Sequence, residues 1–187
     1  MTGSLHTVCI QNGPPSLADA LAGLQGGTLS AARLVQDCLA RIAARNDALH
    51  AFLHLDAVGA RAVAASPAAG PLSGIPWAIK DTFDAAGLPA TANSRFRAGR
   101  VATQDAALVQ ALRGTGAVLL GKLATWEYGT GTGAEHFDLP APPARNPWDM
   151  SRFTGGSSTG GGVAVATGMA LFAIGSDTTG SVRLPEA

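Results

Sequence analysis

Two lysines and a set of serines on glycine-rich backbone are the residues of this chain best suited to chemistry. Lys80 closes the apolar run Gly74-Ile75-Pro76-Trp77-Ala78-Ile79. Two serine sites follow, separated by one apolar segment. The first is Gly155-Gly156-Ser157-Ser158; the second is Asp177-Thr178-Thr179-Gly180-Ser181-Val182-Arg183. Serine with lysine, and no usable histidine nearby, can activate a hydroxyl without imidazole, because neutral lysine is a competent base. A lysine at the end of an apolar strand is partly desolvated, which favours that neutral form. The reaction class this names is acyl transfer from an amide. The plainer reading of Lys80 is a strand-end surface lysine paired with Asp81. Lys122, after Val118-Leu119-Leu120-Gly121, reads as an ordinary strand-end lysine. The N–H groups of Thr178, Thr179 and Gly180 could converge as a nest for a developing oxyanion. A plain turn is the alternative there.

Within these 187 residues other glycine-rich chemistries do not fit the residue order, although a histidine supplied beyond residue 187 would leave the first of them open. Gly156-Ser157-Ser158-Thr159-Gly160 fits the G-x-S-x-G turn of serine hydrolases, but that fold needs a histidine after the serine. His6, His50, His54 and His136 all precede it. A phosphate-binding P-loop ends in Gly-Lys-Ser/Thr, and no lysine follows residue 122. A G-x-G-x-x-G fingerprint after the first strand is absent.

The elements that must position these residues follow from periodicity and punctuation. Ser16 and Ser30 read as N-caps of two helices, the first closed by Gly26-Gly27. Leu34, Cys38, Leu39 and Ile42 recur at helical spacing in the second. Residues 51–55 read as a strand, 58–65 as a short helix and 66–71 as a loop. Pro76 to Ile79 reads as an apolar strand delivering Lys80. Residues 104–113 read as an amphipathic helix with Ala107, Leu108, Ala111 and Leu112 inward. Residues 117–120 read as a buried strand with Gly121 and Lys122 after it. Residues 160–169 read as a helix, followed by a strand over 171–174. Helix, strand and loop in alternation is the grammar of an α/β fold around a buried sheet.

Taken together, Gly74-Ile75-Pro76-Trp77-Ala78-Ile79-Lys80-Asp81, Gly155-Gly156-Ser157-Ser158 and Gly175-Ser176-Asp177-Thr178-Thr179-Gly180-Ser181-Val182-Arg183-Leu184-Pro185 resemble the amidase signature family. Residues 116–122 and 145–149 add to the likeness, which spans most of 28–187. The resemblance implies an α/β fold with a mixed central β-sheet flanked by helices. The 66–71 loop divides the chain into a helical N-terminal arm with one strand, 1–66, and the N-terminal part of the catalytic domain, 67–187. Family members continue beyond this length, so the fold is expected to be incomplete at the C-terminus. Such a piece would expose a strand edge near 171–174 and turn over poorly.

The resemblance also implies a Ser–cis-Ser–Lys triad. Lys80 is then the base, Ser157 the bridging serine on a cis peptide bond, and Ser181 the acyl-forming nucleophile. Thr178, Thr179 and Gly180 form the oxyanion hole, with Ser158, Ser176, Asp177 and Arg183 in support. The implied activity is hydrolysis of a carboxamide C–N bond in a small-molecule substrate, with no metal or organic cofactor. One alternative is the A subunit of glutamyl-tRNA amidotransferase, which releases ammonia from glutamine and implies companion subunits. Another is a truncated, inactive product. A homodimer is a further partner reading. Thr179 departs from the family's usual glycine, and a β-branched residue stiffens that turn. Glu186, Asn93, Ala124 and Trp126 are further departures.

Composition bounds the rest. With 187 residues and 47% apolar content, the chain can build a real core. Its 13 basic and 13 acidic residues give no net charge, and aromatics are 5%. Neither a basic field nor a base-stacking surface for nucleic acid is therefore expected. No apolar run reaches the ~18 residues of a membrane span. There is no charged-then-apolar leader at the start. Cys9 and Cys38 have no metal-ligand spacing and read as reduced thiols. A cytoplasmic protein is expected.

Overall fold

A computed structural model of the chain describes residues 14–130 and 139–185. His6, Cys9, His136 and Glu186 lie outside the described residues. The helices start where their caps place them. The Ser16 hydroxyl accepts from the Asp19 N–H and opens α1 (Leu17–Gln25), which Gly26 closes. Ser30 accepts from the Arg33 N–H and opens α2 (Ala31–Leu49). Leu34, Cys38, Leu39 and Ile42 are all buried along it. After β1 (Phe52–Leu55), the Asp56 carboxylate caps α3 (Ala57–Ala65) through the Gly59 N–H.

The sheet has the order β1-β3-β2-β4, with β2 (Pro76–Lys80), β3 (Val118–Leu123) and β4 (Phe172–Ile174). β1 runs antiparallel to β3, while β2 lies parallel to both β3 and β4. The sheet is therefore mixed, and β2, the lysine-bearing strand, is central. Alternation along the strands divides the core in two. Ala78, Val118 and Leu120 pack with residues of α2, α3 and α5. Trp77, Ile79 and Leu119 pack on the opposite face with Val109. Both faces are covered, which is why β2 and β3 are buried at every position. Lys80, two residues beyond Ala78, falls on the α5 side. α1 adds a smaller cluster through Ala20 against Leu34 and Ile75.

Two sequence expectations are corrected. The helix expected at 104–113 is α4 (Ala107–Gly114), and its inward residues are Val109 and the half-buried Leu112. Ala107, Leu108 and Ala111 are exposed. Residues 105 and 106 are held out of the helix by ties to the preceding loop. Asp105 accepts from the Ala86 N–H, and the Ala106 N–H donates to the Asp84 carbonyl. The strand expected to stop at Leu120 continues through Lys122 to Leu123, so Lys122 is a strand residue and not a strand-end one.

α5 (Thr159–Ala166) is buried over most of its length and begins with three consecutive glycines after Thr159. Gly160 explains one of them: a Cβ there would press on the Ala51 carbonyl and the Ala124 nitrogen. The helix thus packs backbone to backbone against the sheet, and the Gly160 N–H donates to the Ala124 carbonyl at 3.0 Å. At its far end, Arg45 donates to the Thr167 carbonyl at 3.0 Å. Among the described residues, no helix is long and apolar enough to cross a membrane.

Candidate active site

Three elements converge on one point. The end of β2 supplies Lys80. The segment leading into α5 supplies Ser157 and Ser158. The loop after β4 supplies Ser176 and Ser181. The Lys80 ammonium donates to Ser157 Oγ at 2.8 Å, Ser176 Oγ at 2.8 Å and Ser181 Oγ at 3.2 Å. Ser157 Oγ and Ser181 Oγ are 2.8 Å apart. Lys80 is 1% exposed, Ser157 3% and Ser181 7%. The residues singled out in the sequence at 80, 157 and 181 therefore form one buried, continuous hydrogen-bonded chain. The Gly156–Ser157 peptide bond is cis.

Burial pushes the Lys80 ammonium down from its ordinary value of 10.5 to about 8, and the Asp177 carboxylate opposes that shift. The plainer reading, a surface lysine paired with Asp81, is overturned on both points. Asp81 pairs instead with Lys122, Nζ to Oδ1 at 2.7 Å, with both side chains fully buried. Burial lowers Lys122 as well, against the opposing charge of Asp81. Lys122 has no contact with the serines and takes no part in the chain.

Ser181 Oγ is crowded with polar partners. Besides Lys80 and Ser157 Oγ, it accepts from the Ser157 N–H at 3.1 Å and lies 2.8 Å from Ser158 Oγ. Two of these partners, the Lys80 ammonium and the Ser157 N–H, donate to the Ser181 oxygen and so favour its alkoxide. Ser158 also donates to the Ser176 carbonyl at 3.2 Å, which ties the two serine segments together.

The turn before Ser181 is clamped by its own acid. Asp177 accepts from the Gly180 N–H at 2.7 Å and from Arg183 at 2.9 and 3.0 Å. These bonds hold the Asp177 carboxyl well below the usual carboxylate range. They also correct one expectation: the Gly180 N–H is committed to Asp177 and is not a free oxyanion donor. Thr178 and Thr179 are exposed, and no acceptor among the described residues takes their N–H groups.

An aromatic pair lies beside the serine segment at Gly156. The Trp126 ring lies against Gly156, where a Cβ would come within 2.5 Å of it, and stacks on Phe153 with centroids 5.8 Å apart. The Trp126 backbone N–H donates to the Ser157 carbonyl at 3.2 Å. Residues missed by sequence reasoning also touch the chain. Ser157 Oγ donates to the Gly129 carbonyl at 2.8 Å. A backbone acceptor carries no side-chain signal, so nothing in the sequence could have marked it. A groove of about 560 Å³ runs along α5 between Trp148, Phe153 and Leu184. It includes neither Lys80 nor Ser181 and is separate from this chemistry.

A family model described as Amidase matches residues 33–187. The A subunit of glutamyl-tRNA(Gln) amidotransferase from Acidothermus cellulolyticus is 46% identical over 167 residues, covering 85% of this chain and 33% of that protein. The protein of the same name from Salinispora arenicola is 45% identical over 176 residues, covering 89% and 35%. Among solved structures, native peptide amidase from Stenotrophomonas maltophilia superposes with a TM-score of 0.83 at 35% identity, covering 92% of this chain and 38% of that one. A 6-aminohexanoate cyclic dimer hydrolase gives 0.84 at 33% identity, covering 91% and 35%. The chain thus spans about a third of the length of these curated relatives.

Proposed function

Because the chain belongs to the amidase family, we propose that it carries the catalytic centre of a hydrolase that cleaves a carboxamide C–N bond through an acyl-enzyme on Ser181. The observation that carries this reading is the unbroken contact from Lys80 Nζ to Ser157 Oγ to Ser181 Oγ. Neutral Lys80 takes the Ser157 proton as Ser157 takes the Ser181 proton. Ser181 Oγ then attacks the amide carbon. The new oxyanion is met by the N–H groups of Thr178 and Thr179, with Asp177 and Arg183 fixing the turn that aims them. The C–N bond breaks as the relay returns its proton to the leaving nitrogen. Water, deprotonated by the same relay, attacks the acyl-enzyme, releases the carboxylic acid and restores the Ser181 hydroxyl.

The test is covalent labelling of the full-length protein with a fluorophosphonate, together with amide hydrolysis by wild type and Ser181→Ala. Labelling at Ser181, and turnover lost in Ser181→Ala while the urea midpoint stays put, are expected. Labelling elsewhere, or retained kcat in Ser181→Ala, overturns the assignment.

A second reading is favoured by the 46% and 45% identity to the A subunits of glutamyl-tRNA(Gln) amidotransferases. There the same serines release ammonia from glutamine, and the partners are companion subunits. Hydrolysis of simple aliphatic or aromatic amides without partner proteins supports the free-standing amidase. Turnover of glutamine alone, stimulated by the other amidotransferase polypeptides, supports the second reading.

A further inference from the structure

Among the described residues, the Ser157 hydroxyl has one partner outside the lysine and serines, the Gly129 carbonyl. The segment that presents this carbonyl has an uncommon backbone, with φ of 51° at Tyr128 and 72° at Gly129. It is pressed close to the relay: a Cβ at Gly129 would lie 3.4 Å from Lys80 Nζ and 3.6 Å from Ser157 Oγ. Left-handed backbone at a non-glycine residue persists only where the surroundings over-determine it. Here two hydrogen bonds from a neighbouring loop do so. The Tyr128 N–H donates to the Ala92 carbonyl at 2.9 Å, and Asn93 Nδ2 donates to the Thr125 carbonyl at 2.8 Å. Ala92 and Asn93 are themselves left-handed, each with φ 51°.

That loop is anchored in turn by buried charge. Thr91 donates its N–H at 3.1 Å and its hydroxyl at 2.7 Å to Asp81 Oδ2. The other Asp81 oxygen takes Lys122 Nζ, which also donates to the Pro89 carbonyl at 3.0 Å. A fully buried ion pair is weak evidence of stability, since desolvation offsets its Coulomb attraction. Its bonds here reach from the residue after β2 and from β3 into the loop that shapes the relay.

We infer that Asp81, Lys122 and Thr91 are positioning residues for Ser157: through the 89–94 loop they hold the Gly129 carbonyl where it accepts the Ser157 proton. This rests on Ser157 being the relay hydroxyl of the proposed reaction. While the carbonyl takes that proton, the Ser157 lone pairs face Lys80 and suit its ammonium form. Neutral Lys80 must receive the same proton, so it competes with the carbonyl. The carbonyl therefore favours the ammonium and keeps the relay aligned until Lys80 gives up its charge. The charged groups around Lys80 are Asp177, which is clamped by Arg183, and the mutually paired Asp81 and Lys122. Its direct contacts Ser157, Ser176 and Ser181 are neutral.

Thr91→Val tests this without changing charge or shape, and Thr91→Ser restores the hydroxyl. In full-length protein carrying lysine labelled with 13C at Cε, the Lys80 signal is identified by its loss in Lys80→Met. Thr91→Val should lower the Lys80 titration midpoint by about half a pH unit. It should also reduce kcat about tenfold with KM within about twofold. Thr91→Ser should match wild type in both. If Thr91→Val does not fold, Asn93→Ala cuts the tie to Thr125 and carries the same expectation. A folded variant whose Lys80 titrates as in wild type overturns the inference, whatever the amidase activity. So does a Thr91→Ser protein that behaves like Thr91→Val. A shifted Lys80 titration together with full activity in Ser181→Ala supports the positioning role and refutes the nucleophile.

Discussion

The two lysines of the chain are both buried on neighbouring strands, and the physical difference between them is the partner. Lys122 faces a carboxylate, whereas Lys80 faces three hydroxyls. Removing Lys122 leaves Asp81 buried without its counter-ion, and breaking such a pair costs roughly 3–5 kcal/mol. Removing Lys80 leaves neutral hydroxyls at its contacts, and the nearby Asp177 carboxylate keeps its Arg183 partner. Lys122→Ala should therefore lose its fold in urea titrations, while Lys80→Ala should keep its fold and lose about 10²–10⁴ in kcat. Equal urea midpoints for the two proteins would refute the contrast. With Lys80 lowered to about 8, the base is free only above that pH, so kcat/KM should rise as pH increases through about 8 and then level. A flat profile from pH 6 to 9.5 would remove Lys80 as the base. Stability carries the matching sign. The folded state resists the lysine's charge, so the cost is fully present below about 8 and is relieved between about 8 and the ordinary 10.5. Lys80→Met should accordingly stabilise the protein at pH 7, by at most on the order of 3 kcal/mol, and the gain should vanish near pH 10.5.

At the scale of elements, the site depends on how closely α5 lies on the sheet. Gly160→Ala would force a Cβ to within 2.6 Å of the Ala124 nitrogen. Neither backbone can yield easily, so overpacking of about 1–3 kcal/mol is expected as a lower urea midpoint, with lower kcat because Ser157 and Ser158 precede this helix. An unchanged midpoint would mean that the helix has room to move. The helix caps at Ser16 and Ser30, the lysine-bearing strand and the serine loops were all legible from local pattern. Lys80 and the serine segments stood out singly only as candidates; that Lys80, Ser157 and Ser181 belong to one site followed from the family resemblance of the three motifs together. The Asp81–Lys122 pair was not, since it needs the β2–β3 register that sets Ile79 beside Lys122. On α4 the periodicity marks Leu112 correctly but favours Ala107, Leu108 and Ala111 over Val109, because the Trp77 and Ile79 surface selects Val109 and Leu112. The loss of Gly180 as a donor lies in an Asp177 side chain whose rotamer no spacing rule specifies.

For the whole molecule, the informative feature is that β2 lies between β3 and β4, with Trp77 beside Phe172. That pairing joins residues 95 positions apart (172 − 77). Closing a flexible loop of this length costs about 4 kcal/mol of chain entropy before its contacts repay any of it. The neighbouring helices α1, α2 and α3 need no such closure. Parallel, long-range pairings form slowly relative to local structure. On refolding from urea, far-ultraviolet circular dichroism should therefore recover first, and fluorophosphonate labelling of Ser181 later. Simultaneous recovery would show that the strands close as early as the helices form. Since Lys80 meets Ser176 and Ser181 only when β4 has docked beside β2, a half-folded chain carries no assembled nucleophile. The topology thus works as a timer, and reactivity appears only once the polypeptide has finished organising itself.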